Sequence, residues 1–215
     1  MSFDVLINPL TGERAVVRQH ATPDNGHLVV GDLYASPGVA VAGEHFHPYS
    51  TETFTVVRGR IALKIGGRQE EAGPGGRFTV PAGVSHDWWN IADETAFVIA
   101  EVMNAPRLEH MIKNLYFLAA DGKTGSKGRP GLLQASVLAR EFDDTVRFTK
   151  PPRCVQRAVF GALAPLARLR GYRGSYPSYE SRVSDVVDAL EALPEDIAAL
   201  LPAGVPGATT EPGAH

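Results

Sequence analysis

The feature that most constrains this chain is its punctuation. Between Leu28 and Pro81, strand-length runs rich in β-branched and aromatic residues are interrupted by Ser36-Pro37-Gly38, Arg58-Gly59, Gly66-Gly67 and Gly73-Pro74-Gly75-Gly76. Turn signals about 7 to 12 residues apart leave little room for helices and suit an all-β sandwich or barrel. Ile61, Leu63 and Ile65 alternate with Arg60, Ala62 and Lys64, the period of two of a half-buried strand, and Gly66-Gly67 suits the hairpin that follows. Upstream, Phe3 to Arg18 reads as two short strands around Asn8-Pro9-Leu10-Thr11-Gly12, and Phe97 to Val102 closes the β-rich half.

After Pro106 the period changes. Leu108, Met111, Ile112, Leu115 and Leu118 share one helical face. The expected organisation is a β-rich domain over 1–105, a helical extension over 106–201 and a disordered Pro/Gly/Ala/Thr-rich tail over 202–215. Within the extension, further helices are expected at Leu132 to Arg140, at Val155 to Leu169 with a kink at Pro165, and at Val183 to Leu201. The Gly-rich stretch Asp121 to Pro130 lacks the full phosphate-loop pattern and gives no reason to expect a nucleotide.

Composition sets aside several classes of function. A net charge of -3 over 215 residues gives no electrostatic case for nucleic acid. One cysteine, Cys154, excludes an internal disulfide and reads as a packing residue; with no signal-like start, the expected compartment is the reducing cytoplasm. No run of 18 or more apolar residues is present to span a membrane. Charge is uneven, however. Thr145 to Tyr179 holds no Asp or Glu but carries Arg147, Lys150, Arg153, Arg157, Arg168, Arg170 and Arg173. The acidic stretch from Glu180 to Asp196 is the expected internal counterweight, which makes a membrane surface the weaker reading.

The residues that carry chemistry lie in the β-rich half. On a strand, His45 and His47 place both imidazoles on one face, so two rings can converge on one ion. Glu52 follows beyond a Pro48-Tyr49-Ser50 bend, and His86 adds a third imidazole from further on. Mixed histidine and carboxylate donors suit borderline divalent metals. His20, His27, His110 and His215 stand alone and read as ordinary surface or core residues. By strand parity Phe54 shares a face with Glu52, and Trp88 with His86, so both are candidate walls of a substrate pocket. Tyr34, Tyr49, Arg58 and Glu101 are the remaining acid, base or anion-clamp candidates.

The spacing resembles the two motifs of the cupin superfamily. His45-x-His47 is followed after four residues by Glu52 and after six more by Gly59, although six residues rather than five separate Gly38 from His45. The second motif runs Gly75, Pro81-x-Gly83, His86 and Asn90 without a gap. The resemblance covers about residues 28 to 104 and implies a mainly β fold, a jelly-roll β-barrel followed by an α-helical C-terminal extension. It implies one divalent ion (iron, manganese, nickel or zinc) held by His45, His47, Glu52 and His86, with Glu52 also a candidate catalytic base. The function expected is that of a dioxygenase, isomerase or cyclase acting on a small organic substrate, in a homodimer. Two alternatives remain: a small-ligand binding or sensing module, and a membrane-surface or protein-interaction module using the basic helical half.

Overall fold

A computed structural model describes residues 2–209 of the chain. Ten strands come first: β1 (Phe3–Ile7), β2 (Arg14–Gln19), β3 (Val29–Ala35), β4 (Ala40–Phe46), β5 (Thr51–Arg58), β6 (Ile61–Ile65), β7 (Arg68–Ala72), β8 (Arg77–Val80), β9 (His86–Asn90) and β10 (Ala96–Met103). The helices α1 (Leu108–Ala120), α2 (Leu132–Glu141), α3 (Arg153–Leu169), α4 (Pro177–Glu180) and α5 (Glu195–Ala198) follow, with two short strands among them, β11 (Arg147–Phe148) and β12 (Asp185–Val187). The strands form two antiparallel sheets. The larger runs β12-β1-β2-β3-β10-β5-β8 and the smaller β11-β4-β9-β6-β7.

Alternation along the strands makes the core. Phe54, Val56, Ile61, Leu63, Val80, Trp88, Val98 and Ala100, drawn from both sheets, form one buried cluster between them. Residues of opposite parity on the larger sheet, including Val30, Phe97 and Ile99, face outward and are covered by Ile197, Leu201 and Val205. Helix α1 buries Phe117 and Leu118 against Leu6, Ala15 and Tyr179, as its apolar stripe requires. Two of the expected turns depend on glycine. Gly59 has φ +83°, and a Cβ there would lie 3.0 Å from Ala96 Cα, so both backbone sign and space demand glycine. Gly83, φ +80°, donates its N–H to His47 O at 2.8 Å and ties the β8–β9 turn to the histidine strand. Asn90 donates to Ala35 O and Glu94 O and accepts from Ala92 N, closing the turn after β9.

The extension departs from expectation in four places. The stretch Val183 to Leu201 is not one helix. Asp185–Val187 pairs with β1, with Phe3 opposite Val187, and helix returns only at Glu195–Ala198 after Pro194. Two adjacent valines favour a strand and the proline ends any helix running into it. Second, Val205 is buried in the cluster on the outer sheet face, so 202–209 packs where disorder was expected; 210–215 lies outside the described residues. Third, the acidic stretch does not neutralise the basic one. Arg147 and Arg153 both pair with Asp143, Glu191 pairs with Arg58, and Arg157, Arg168, Arg170 and Arg173 make no ion pair among the described residues. The cause is topological: β12 carries the acidic stretch to β1, while α3 packs on α2 through Ala164 and Ala167. Fourth, Cys154 is exposed on α3 rather than packed.

Candidate metal centre

Three strand ends meet at one end of the barrel. His45 lies near the end of β4 and His47 just past it, His86 begins β9, and Glu52 sits at the start of β5 in the other sheet. His45 and His86 are direct cross-strand partners, so their side chains stand side by side on the same face. The rings are 4.4 Å apart for His45 and His86, 5.1 Å for His45 and His47, and 5.5 Å for His47 and His86, between centroids. One ligand atom from each of the four side chains lies within 4.8 Å of the others, and all four side chains are buried.

Each imidazole is held from behind. Nδ1 of His45 lies 2.7 Å from Gly43 O, Nδ1 of His47 2.8 Å from Thr145 O, and Nδ1 of His86 3.2 Å from Val84 O. A carbonyl oxygen only accepts, so each Nδ1 carries the donated proton and each Nε2 is left for the interior. Outer partners of this kind fix ring orientation and raise ligand basicity in metal sites. Nε2 of His47 and of His86 lie 3.1 and 2.7 Å from Glu52 Oε2. With Nδ1 already a donor, a hydrogen bond from Nε2 to the carboxylate makes that ring an imidazolium. A single divalent cation satisfies the same atoms at once. Three neutral nitrogens and one carboxylate oxygen therefore fit such an ion.

The electrostatics agree. Burial lowers His45 to about 4, with the neighbouring His86 charge acting the same way and Glu52 opposing. Burial alone would also lower His47, but the Glu52 hydrogen bond and charge outweigh it and raise the group above its ordinary value. For Glu52 burial acts upward, yet hydrogen bonds from His47 and His86 hold the carboxyl well below the usual carboxylate range. Near neutral pH, then, Glu52 is ionised and His45 neutral, the forms that bind metal.

Beneath the ligands, the Phe54 ring lies 5.9 Å from His86 and 6.2 Å from Trp88, and both aromatics are fully buried in the core. The other candidates go elsewhere. Tyr34 stacks on Phe97 and donates to Glu191, Arg58 also pairs with Glu191, and Glu101 binds Arg77, all on the outer face of the larger sheet. Tyr49 is exposed. His20 pairs with Glu109 away from the site, His27 and His110 take no part in it, and His215 lies outside the described residues. What sequence reasoning missed is the contribution of the extension. Thr145 supplies the acceptor for His47, and Phe148, opposite His45 in the β11–β4 ladder, places its ring 6.2 Å from that histidine. The strand that carries Phe148 had a signal, the β-prone run Thr145-Val146-Arg147-Phe148-Thr149 inside a helical segment, but the Thr145 carbonyl had none.

Two antiparallel sheets therefore gather three histidines and a carboxylate at one end, a donor set that could hold a metal ion. Residues 34–102 match the family model described as Cupin domain. It is 29% identical over 108 residues to a protein named polyketide synthase CurC from Streptomyces cyaneus, a match covering 45% of this chain and 70% of that protein. Among solved structures, KdgF from a Halomonas species is 18% identical, with 45% of this chain and 84% of that one covered at a TM-score of 0.39. A predicted oxalate decarboxylase from Thermotoga maritima is also 18% identical, covering 47% of this chain and 90% of that one at 0.39. No helix among the described residues is long and apolar enough to cross a membrane.

Proposed function

We propose that this protein is a mononuclear metal-dependent enzyme acting on a small organic substrate, with His45, His47, Glu52 and His86 as the ligands. The observation that carries the reading is the shared anchoring of the three imidazoles: every Nδ1 is committed to a backbone carbonyl, and every Nε2 is thereby freed for one point beside Glu52. Bound there, iron, manganese, nickel or zinc would supply Lewis-acid or redox chemistry to a substrate oxygen. The protein's own part is positional. Phe54 gives the ligands an apolar floor and, with Trp88 behind it, keeps water from that side. Glu52 serves first as a charged ligand. As a ligand it would share its lone pairs with the ion, which makes it a weak base.

Among the reaction types open to such a site, cyclisation or isomerisation of a carbonyl-rich chain accords with the relative named a polyketide synthase. A second reading, a binding or sensing module, is favoured by one observation: Tyr34, Arg58 and Glu101 all face away from the ligands, leaving no second acid or base from that set. Metal analysis of the purified protein tests the proposal. One ion per chain is expected in the wild type and none in a His47→Ala, His86→Ala double variant; equal content in both would sink it. Turnover of carbonyl-rich substrates that depends on the ion separates enzyme from binding module.

A further inference from the structure

The inward row of side chains across the smaller sheet runs Ile65, His86, His45 and Phe148, each directly opposite the next. Directly opposed residues on neighbouring antiparallel strands point to the same side of the sheet. Phe148 therefore faces the interior with the two histidines, at the edge of the row, and remains 41% exposed where the barrel opens. Three residues earlier, the Thr145 carbonyl lies behind His47. Neither residue belongs to the 34–102 domain.

The segment that carries them is fixed from two sides. On one side, Val146 is buried, and the N–H groups of Thr145 and Val146 both donate to Phe142 O at the end of α2. Arg147 and Arg153 grip Asp143, and Arg107 reaches Glu141 and Asp144. On the other side, Thr149 N and Oγ1 both donate to Glu44 O on β4. A segment held at both ends is a rigid mount, not a loop resting on the surface.

We infer that residues 145–148 complete the metal centre: the Thr145 carbonyl is the positioning group for His47, and the Phe148 ring covers the ligand set at the barrel opening. Metal retention, and the shape of anything admitted to the ion, are then set by the extension as well as by the motif residues. The assignment rests on the metal-centre reading above. In metal sites, removal of an outer partner of a ligating histidine costs about 10- to 100-fold in affinity, which sets the scale to expect.

The test is the rate at which the full-length protein, loaded with zinc, surrenders it to excess chelator. Wild type is compared with Phe148→Ala, Phe148→Leu and Asp143→Ala, the last removing the carboxylate that Arg147 and Arg153 share. Melting of each chelator-treated chain reports stability apart from metal. Release about tenfold faster in Phe148→Ala and in Asp143→Ala, with Phe148→Leu near wild type, is the expected result. A slowly exchanging Nδ1 proton on His47, weakened in Asp143→Ala, is expected in imidazole NMR spectra. Unchanged release rates in Phe148→Ala and Asp143→Ala would overturn the inference. So would faster release that simply followed a lower melting temperature in every variant. Failure of the wild type to take up one zinc per chain would overturn the metal-centre reading instead, a separate result.

Discussion

At one end of the barrel three imidazoles and a carboxylate turn their donor atoms toward a common point, whereas on the outer face of the larger sheet Arg18 and Asp32 turn theirs toward each other. Both groups are buried, and both gather ionisable side chains. In the Arg18–Asp32 pair the charge is neutralised within the pair, and Arg18 spends further N–H groups on Pro206 O and Glu191 O. At the histidine end the nitrogens are backed by carbonyls and share one carboxylate, an arrangement compatible with a metal ion. Buried charge suits a binding site when the donor atoms of several groups converge, and a structural clamp when two opposite charges pair with each other. The clamp sits where the segment after Pro206 meets β2, so it also pins the C-terminal end to the barrel.

The largest effect should come from breaking the clamp. Arg18→Met leaves Asp32 buried without its partner and should cost about 3–5 kcal/mol in urea unfolding. The double change Arg18→Met, Asp32→Leu should recover most of that loss, because two apolar residues need no pairing. If the single and double variants lost equal stability, Arg18 would be acting through its backbone contacts to Pro206 and Glu191 and not through Asp32.

Acid sensitivity should separate the two regions next. Burial raises Asp32 to about 6, with the Arg18 hydrogen bond opposing. The folded chain therefore holds a proton there that the unfolded chain has lost, and this contribution to stability falls as pH rises through 4 to 6. His45 behaves in the opposite way. Lowered to about 4, it stays neutral while the unfolded chain takes up a proton, so its contribution is lost as pH falls from 6.5 toward 4. For metal-free protein, the stability difference between Arg18→Met, Asp32→Leu and wild type should move in favour of the variant from pH 4 to 6, by up to about 3 kcal/mol. A difference independent of pH would remove Asp32 as the titrating group.

The uneven legibility of these regions has a physical origin. His45, His47, Glu52 and His86 stood out because ligands to one ion must recur at spacings that strand geometry dictates, and turns such as Gly59 and Gly83 are tied to glycine by backbone sign. The sheets and α1 followed from periodicity for the same reason. Thr145 left no trace as a site residue because its contribution is a backbone carbonyl, which every residue possesses. Arg18 and Asp32 are fourteen positions apart and pair only through the β2–β3 register, whose irregularity between Val17 and Gln19 no periodicity announces. The stretch from 183 to 201 misled because its carboxylates and leucines suit an amphipathic helix, while the pairing of Asp185–Val187 with β1 is a tertiary choice.

Ligand-dependent stability gives the third contrast. With zinc at a hundredfold excess over its dissociation constant, wild type should gain about 2.7 kcal/mol, and His86→Ala should gain nothing. Arg18→Met, damaged elsewhere, should keep the full increment on top of its lower baseline. An increment that vanished in Arg18→Met as well would mean that the two regions are coupled, and that the clamp sets the geometry of the ligands.

The smallest effect is expected at a pair that resembles the clamp in everything except burial. Arg58 and Glu191 join the larger sheet to the same C-terminal segment, but both side chains are exposed, at 44% and 38%. Water screens such a pair, and holding two long side chains in one geometry costs entropy, so Arg58→Ala should change stability by about 0–1 kcal/mol. Its guanidinium lies 5.9 Å from the Phe97 ring, an exposed contact of similarly small worth. The segment stays down because Ile197, Leu201 and Val205 are buried against Val30, Phe97 and Ile99. Leu201→Ala should therefore release it at a cost of about 2–5 kcal/mol, seen as new protease cleavage between 189 and 209, while Arg58→Ala leaves that segment protected. Cleavage in Arg58→Ala as rapid as in Leu201→Ala would show that ionic contact, exposed or not, holds this edge of the molecule together.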